Sequence, residues 1–131
     1  MLNRLVAATA AGFVLLSSAA WAADAPAEIK LGTLYASAGR YASISMPVHY
    51  GLKLWIDQKN ADGGVFVKAF NKKIPIKLVA YDDQSNTATA STLYNQLITQ
   101  DNVNLLVADS GSVLTAPAVT IARDRKMFLF D

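Results

Sequence analysis

The chain has no cysteine, and its 131 residues include a single histidine and only four prolines. Without thiols there is no disulfide framework, and no cysteine near the N-terminus could carry a lipid anchor. Charge is sparse too. Asp, Glu, Lys and Arg make up 17% of the chain, and 12 basic against 10 acidic side chains leave a net charge of +2. The pI of about 8.9 rests on that small surplus. The lysines are scattered from Lys30 to Lys126 without interleaved aromatics, which argues against a nucleic-acid partner. Hydrophobic residues account for 53%, the composition of an ordinary globular chain of at most one domain rather than a disordered one.

One apolar run is too short to span a membrane. In MLNRLVAATAAGFVLLSSAAWAAD, Arg4 precedes an uncharged stretch from Leu5 to Leu16, and Ser17-Ser18 interrupt it; a spanning helix needs ~20 apolar residues. The small-x-small pattern Ala20-Trp21-Ala22 follows. Residues 1–22 read as a secretory signal peptide cleaved before Ala23, leaving residues 23–131 as an exported, freely soluble protein.

The mature chain alternates two periodicities. Ile29 to Tyr35 reads as a strand. Pro47 then opens a helix with Val48, Leu52, Trp55 and Ile56 on one face, ended by Gly63-Gly64. IPIKLVA, Ile74 to Ala80, is a second strand running into Tyr81-Asp82-Asp83. Ser85 or Asn86 can cap a helix with a stripe of Ala90, Leu93, Tyr94, Leu97 and Ile98. Leu105 to Ala108 is a third strand. Thr115 to Arg125 is a third helix facing inward through Leu114, Ala118, Ile121 and Ala122, and Met127 to Phe130 is a fourth strand. Between Val65 and Lys73 the pattern weakens, and a hairpin-like excursion is one option. Strands alternating with helices predict an α/β fold, a doubly wound parallel sheet with helices on both faces.

Ligands of such sheets sit beyond the carboxyl ends of the strands, so three loops are candidates: Ala36 to Met46, Tyr81 to Asn86 and Asp109 to Leu114. The first contains one glycine, Gly39, where a dinucleotide fingerprint needs three, and no phosphate-loop Lys-Ser/Thr pair follows a glycine. No cofactor is expected. Asp82-Asp83 could form an acid pair, a metal site or a ribose contact. Without a glycine fingerprint, the favoured reading is a strand-end turn whose carboxylates accept backbone hydrogen bonds, with no metal. His49 reads as a satisfied helix residue and not as a general base, which leaves a Ser110 or Ser112 nucleophile without its usual partner. Trp55 and Tyr94 read as core.

Asp109-Ser110-Gly111-Ser112 is the most informative turn. Serine hydroxyls and backbone amides beside a helix N-terminus suit a carboxylate, and Gly111 lets the backbone approach it. Helix capping by Ser112 needs no ligand at all, and the residues alone support both readings.

Taken together, IKLGTLYASAGRYASISMPVHYGLKLWIDQKNADGG, IPIKLVAYDDQSN and LLVADSGSVLTAPAV resemble the start of a periplasmic solute-binding protein of the branched-chain amino-acid-binding type. The shared features are the small-residue loop at Ala38-Gly39, Gly63-Gly64 after the helix, Asp82-Asp83 after a strand, and the turn Ser110 to Ser112 before Thr115-Ala116-Pro117-Ala118. The likeness spans nearly the whole mature chain, and it is the combination that is specific.

The resemblance implies the N-terminal lobe of a type I periplasmic binding protein, the second lobe lying outside this chain. It also implies a monomeric, non-enzymatic periplasmic receptor that hands a small-molecule ligand to the membrane permease of an ABC importer. An exported sensor signalling to a membrane receptor uses the same fold, and neighbouring permease or receptor genes would separate the two. By position, Ser112 would hold the ligand carboxylate with Ser110 and Gly111 beside it, and the loop carrying Tyr41 and Ile44 would face the ligand side chain. Ala38 stands where the family often has serine, and Ile44 falls near an often aromatic position for which Tyr41 could substitute. The implied ligand is therefore an amino acid, another carboxylate or an amide.

Overall fold

The computed structural model describes residues 24–131; the expected leader lies outside the described residues. Among the described residues, six strands and three helices follow one another as β1 (Ile29–Tyr35), α1 (Ala42–Ala61), β2 (Val65–Val67), β3 (Lys72–Ile74), β4 (Ile76–Asp82), α2 (Thr87–Thr99), β5 (Leu105–Val107), α3 (Ser112–Arg125) and β6 (Leu129–Phe130). A short 3₁₀ turn, Lys68–Phe70, joins β2 to β3.

The main sheet has the order β4-β1-β5-β6, and every neighbouring pair is parallel. From β1 the chain moves outward to β4 and then crosses back to β5 and β6. Right-handed crossovers in opposite directions deliver helices to opposite faces, so α1 covers one face and α2 with α3 the other. Alternation along β1 supplies both cores. Leu34 packs with Leu106, Ala90, Tyr94, Leu97, Leu114, Ala118 and Ala122 beneath α2 and α3. Leu31 packs with Ile56 and Ile76 beneath α1. The fold class expected from the alternating periods is the observed one.

Four local expectations are corrected. Helix α1 begins at Ala42, placing Pro47 inside it instead of at its start. A proline there withdraws one N–H from the ladder. The first turn is tied down from outside, by Tyr41 N–H to Ser85 Oγ at 3.1 Å and by Ser45 to both neighbouring loops. The inward stripe is also rotated. Ser45 and Ile56 are buried, whereas Val48 and Trp55 are 52% and 41% exposed. Trp55 instead lines an open apolar groove of about 310 Å³ with Leu31, Leu52, Val107 and Phe130.

The second strand starts at Ile76, because Pro75 separates it from β3, which pairs antiparallel with β2 as a hairpin. This is the excursion between Val65 and Lys73. Helix α3 starts at Ser112, three residues before the expected Thr115.

Two ends behave as the sequence suggests. Asn86 accepts from Thr89 N–H at 3.0 Å and caps α2. After α1, Gly64 N–H reaches Lys59 C=O at 2.8 Å, and Gly64 has φ +102 with the Ile74 carbonyl only 2.1 Å from where a Cβ would stand. No other residue fits there.

Candidate functional site

The carboxyl ends of β1, β4 and β5 bring the three candidate loops together. Asp82, at the end of β4, accepts from Ser37 N–H at 3.1 Å and Gln84 N–H at 2.9 Å, and from the Ser37 hydroxyl. Burial pushes its carboxyl up, but these three donors outweigh it and hold Asp82 below the usual carboxylate value. Ser85 Oγ donates to Ala38 C=O at 2.7 Å and accepts from Tyr41 N–H. The first and second loops are thus tied by polar contacts. The strand-end-turn reading of Asp82-Asp83 matches this geometry, since Asp83 accepts from Ser85 N–H at 2.9 Å.

The third loop is organised by Asp109. Its Oδ1 accepts from Ser45 Oγ at 2.5 Å and from Ser110 N–H at 2.6 Å, and Ser45 Oγ in turn accepts from Ala36 N–H at 2.8 Å. The Asp109 backbone is held as well: its N–H donates to Tyr94 Oη at 2.9 Å, and its C=O accepts from Thr115 Oγ1 at 2.9 Å. Burial raises the Tyr94 phenol far above its ordinary range, with the Asp109 and Asp83 carboxylates adding to it, so Tyr94 stays protonated. Tyr94 is core, as expected, and its hydroxyl has a further task that hydrophobic periodicity does not reveal.

Gly111 takes the N-cap position of α3 with φ +107, and no side chain caps this helix. A Cβ on Gly111 would lie 2.9 Å from the Tyr41 ring, so glycine is required both for the backbone angle and for the aromatic contact. Ser112 is the first helical residue and exposed. The capping role open to it in the sequence is therefore not the one it has. Gly111 C=O accepts from Leu114 N–H at 2.9 Å and Thr115 N–H at 3.0 Å. The Ser112 and Val113 N–H groups, in the first turn, have no intrahelical acceptor.

Beside this turn lies an open cavity of about 380 Å³, lined by Gly111, Ser112, Thr115, Ala116 and Asp131. The structure brings Gly111 and Ser112 to the cavity and packs Tyr41 on Gly111. Arg40 stacks over Tyr41 with its guanidinium 5.0 Å from the ring centre. Ser110 is half-buried behind the turn, and Ile44 stands 57% exposed in the first turn of α1; neither lines the cavity. Thr115 and Ser45 were missed by sequence reasoning. Ser45 left a signal, since it shares the inward stripe of α1 with His49, Leu52 and Ile56, and a serine on such a stripe needs a buried partner.

His49 is not the satisfied helix residue expected. Its Nδ1 is buried without a partner among the described residues, and its ring stacks on Tyr35 with centres 4.3 Å apart. Burial, then Lys53, lowers its pKa below the ordinary histidine value, against the pull of Asp109. It makes no hydrogen bond to Ser110 or Ser112 among the described residues.

The profile of the periplasmic binding protein family matches residues 28–131. Among solved structures, the chain resembles the branched-chain amino acid transporter substrate binding protein LivJ of Streptococcus pneumoniae in complex with isoleucine, at 30% identity and a TM-score of 0.70 over 78% of this chain and 28% of that one. It also resembles a solute binding protein of an ABC transporter from R. palustris in complex with benzoate, at 25% identity and a TM-score of 0.64 over 78% of this chain and 26% of that one. An ABC transporter substrate-binding protein from Sphaerobacter thermophilus matches at 25% identity with a TM-score of 0.65, over 78% of this chain and 25% of that one. The chain therefore spans about a quarter of the length of these proteins. A parallel sheet flanked by helices, three strand-end loops laced together and a family match over the whole described sheet have one meaning: the chain belongs to the periplasmic binding protein family.

Proposed function

We propose that this protein is the extracytoplasmic solute-binding subunit of an ABC importer, and that it captures a small carboxylate at the start of α3. The observation that carries this reading is the uncapped first turn of α3, with Gly111 in a left-handed conformation, opening on a cavity. The Ser112 hydroxyl and the Ser112 and Val113 N–H groups are donors without an acceptor among the described residues, and the positive end of the helix dipole favours an anion there. Gly111 gives the turn its backbone angle and leaves room for the Tyr41 ring. Ser110 supports the turn from behind, and Tyr41, packed on Gly111, stands on the side that the ligand's body faces, with Ile44 outside the cavity.

Two neighbours, one in complex with isoleucine and one with benzoate, share a carboxylate and little else, which supports the carboxylate as the common handle. The ligand class is a branched-chain amino acid or a related carboxylate or amide. Residues 1–22 act as a cleaved leader, the mature protein is a periplasmic monomer, and it passes its ligand to a membrane permease without chemical change. Calorimetric titration of the whole protein with isoleucine, benzoate and their primary amides tests this. At least one acid is expected to bind at least tenfold more tightly than its amide, about 1.4 kcal/mol. Equal affinity of acid and amide would contradict the carboxylate cradle.

A further inference from the structure

Beneath the cradle lie two carboxyl groups that have no place in ligand contact. Asp83 is 0% exposed and Asp109 is 5% exposed. Each satisfies its Oδ1 within the protein, and each leaves Oδ2 buried without a protein partner. The two groups stand within hydrogen-bonding reach of one another, and each carboxylate acts on the other's ionisation. No lysine or arginine pairs with either among the described residues, where the ion pairs are Lys77–Glu28 and Arg123–Asp124. Two anions cannot share such a site cheaply, because burial and mutual repulsion both disfavour the second charge. A single proton between the two Oδ2 atoms removes both problems, making one carboxyl a donor and the other its acceptor.

We propose that Asp83 and Asp109 share one proton, and that this pair positions the Ser110–Ser112 turn: the turn is held in place while the proton is bound and is loosened when both groups are charged. This deepens the carboxylate-binding reading and rests on it for its consequence for ligand capture. The proton resides on Asp83. Asp109 Oδ1 receives two donors, Ser45 Oγ–H and Ser110 N–H, whereas Asp83 Oδ1 receives one, so the anion is better stabilised on Asp109. Burial, with repulsion from Asp109 and Asp82, raises the Asp83 carboxyl to about 6 against one opposing bond from Ser85 N–H. Burial raises Asp109 too, against its donors.

The other ionisable groups facing the pair do not replace the proton. His49, on α1, is held toward its neutral form, with Lys53 acting on it. Tyr94, on α2, keeps its phenolic proton, with Asp131 adding to that tendency. Asp82, next in the chain, adds negative charge. The link to the cradle is direct, since Asp109 is bonded to Ser110 and through its carbonyl to Thr115, while Asp83 is bonded to Ser85, which holds Ala38 and Tyr41. These are positioning residues, acting through the turn.

The test is a titration of the whole, ligand-free protein labelled with ¹³C-aspartate and ¹⁵N, followed by NMR from pH 4.5 to 8. One carboxyl is expected to keep its proton to about pH 6, and the Ser110 and Gly111 amides are expected to shift with the same midpoint. In Asp83→Asn, whose amide donates permanently to Asp109, that shift is expected to vanish while the spectrum stays dispersed. Two carboxyls both ionised by pH 4.5, or Ser110 and Gly111 amides unchanged across the range, would overturn the proposal. Should the variant not fold, the wild-type titration decides alone. Because no ligand is used, failure of the carboxylate-binding reading leaves this result standing, and a flat titration leaves that reading standing.

Discussion

The two faces of the sheet are built differently. Under α2 and α3, nine buried residues from β1, β5, both helices and the segment before β5 form one cluster, including Leu34, Tyr94, Leu97, Leu106 and Leu114. Under α1 the buried cluster among the described residues is smaller, Leu31, Ile56 and Ile76, and an apolar groove stays open beside them. The candidate site leans on the first of these faces. Tyr94 and Thr115 project from α2 and α3 to hold the Asp109 backbone, so the turn before α3 is fixed by the part of the molecule that is most tightly packed. Helix α1 contributes through one inward serine, Ser45, and through Tyr41 at its start. The lesson is that rigid packing on one face of a parallel sheet can hold a binding turn at its rim even where the opposite face is thinly covered.

The largest effect expected from that contrast is on stability. Leu106, 0% exposed and central to the larger cluster, is expected to cost about 3–5 kcal/mol when changed to Ala, since a full cavity is left. Leu52, half-buried at the groove, is expected to cost about 1 kcal/mol on the same change, because much of its surface already meets water. Urea unfolding of the whole protein and both variants measures the two values, and equal losses would erase the distinction between the faces.

That distinction was only half legible in the sequence. The stripes of α2 and α3 are clean, with Ala90, Tyr94 and Leu97 on one and Leu114, Ala118 and Ala122 on the other, and both point where periodicity says. Helix α1 misleads because apolar residues occur almost all round it, so Val48 and Trp55 satisfy a helical period as well as Leu52 and Ile56 do. What selects the true face is polar: Ser45 bonded to Asp109, a partner 64 residues away. The Asp83–Asp109 pair is hidden for a related reason. It joins the ends of β4 and β5, strands that lie on either side of β1, and a local reading treats each aspartate as a separate strand-end turn. That Gly111 and Ser112 stand at the start of α3 could be read because small residues before a helix carry their own signature, whereas the packing of Tyr41 on Gly111 could not. The cap position at Gly111 depends on a backbone angle that composition does not specify.

A smaller effect sharpens the comparison at the rim. Asp83 has a folded pKa raised to about 6, above the ~3.9 of an unfolded aspartate. The folded state therefore binds its proton more tightly than the unfolded chain. Asp83 supports the fold most below the unfolded value, and this support is lost as the pH rises through about 6. The ligand-free stability of the whole protein, followed by its melting temperature, is thus expected to contain a component that falls by on the order of 1–2 kcal/mol between pH 5 and pH 7.5. Asp83→Asn is expected to flatten it and to melt higher than wild type at pH 7.5. A variant that melts lower at pH 7.5 and keeps the wild-type slope would show that the two carboxyls do not repel one another.

The smallest effect on stability is expected at Ser112, which caps nothing and is exposed, and there the account is tested most directly. Calorimetric titration of the whole protein and of Ser112→Ala, with whichever of isoleucine or benzoate binds the wild type, compares affinity; melting curves without ligand compare stability. The prediction is an affinity loss of about ten- to a hundredfold, as expected for a hydrogen bond to a charged group, with a ligand-free melting temperature unchanged within about 1 °C. Unchanged affinity in Ser112→Ala, with or without a drop in melting temperature, would contradict the assignment of the first turn of α3 as the carboxylate cradle.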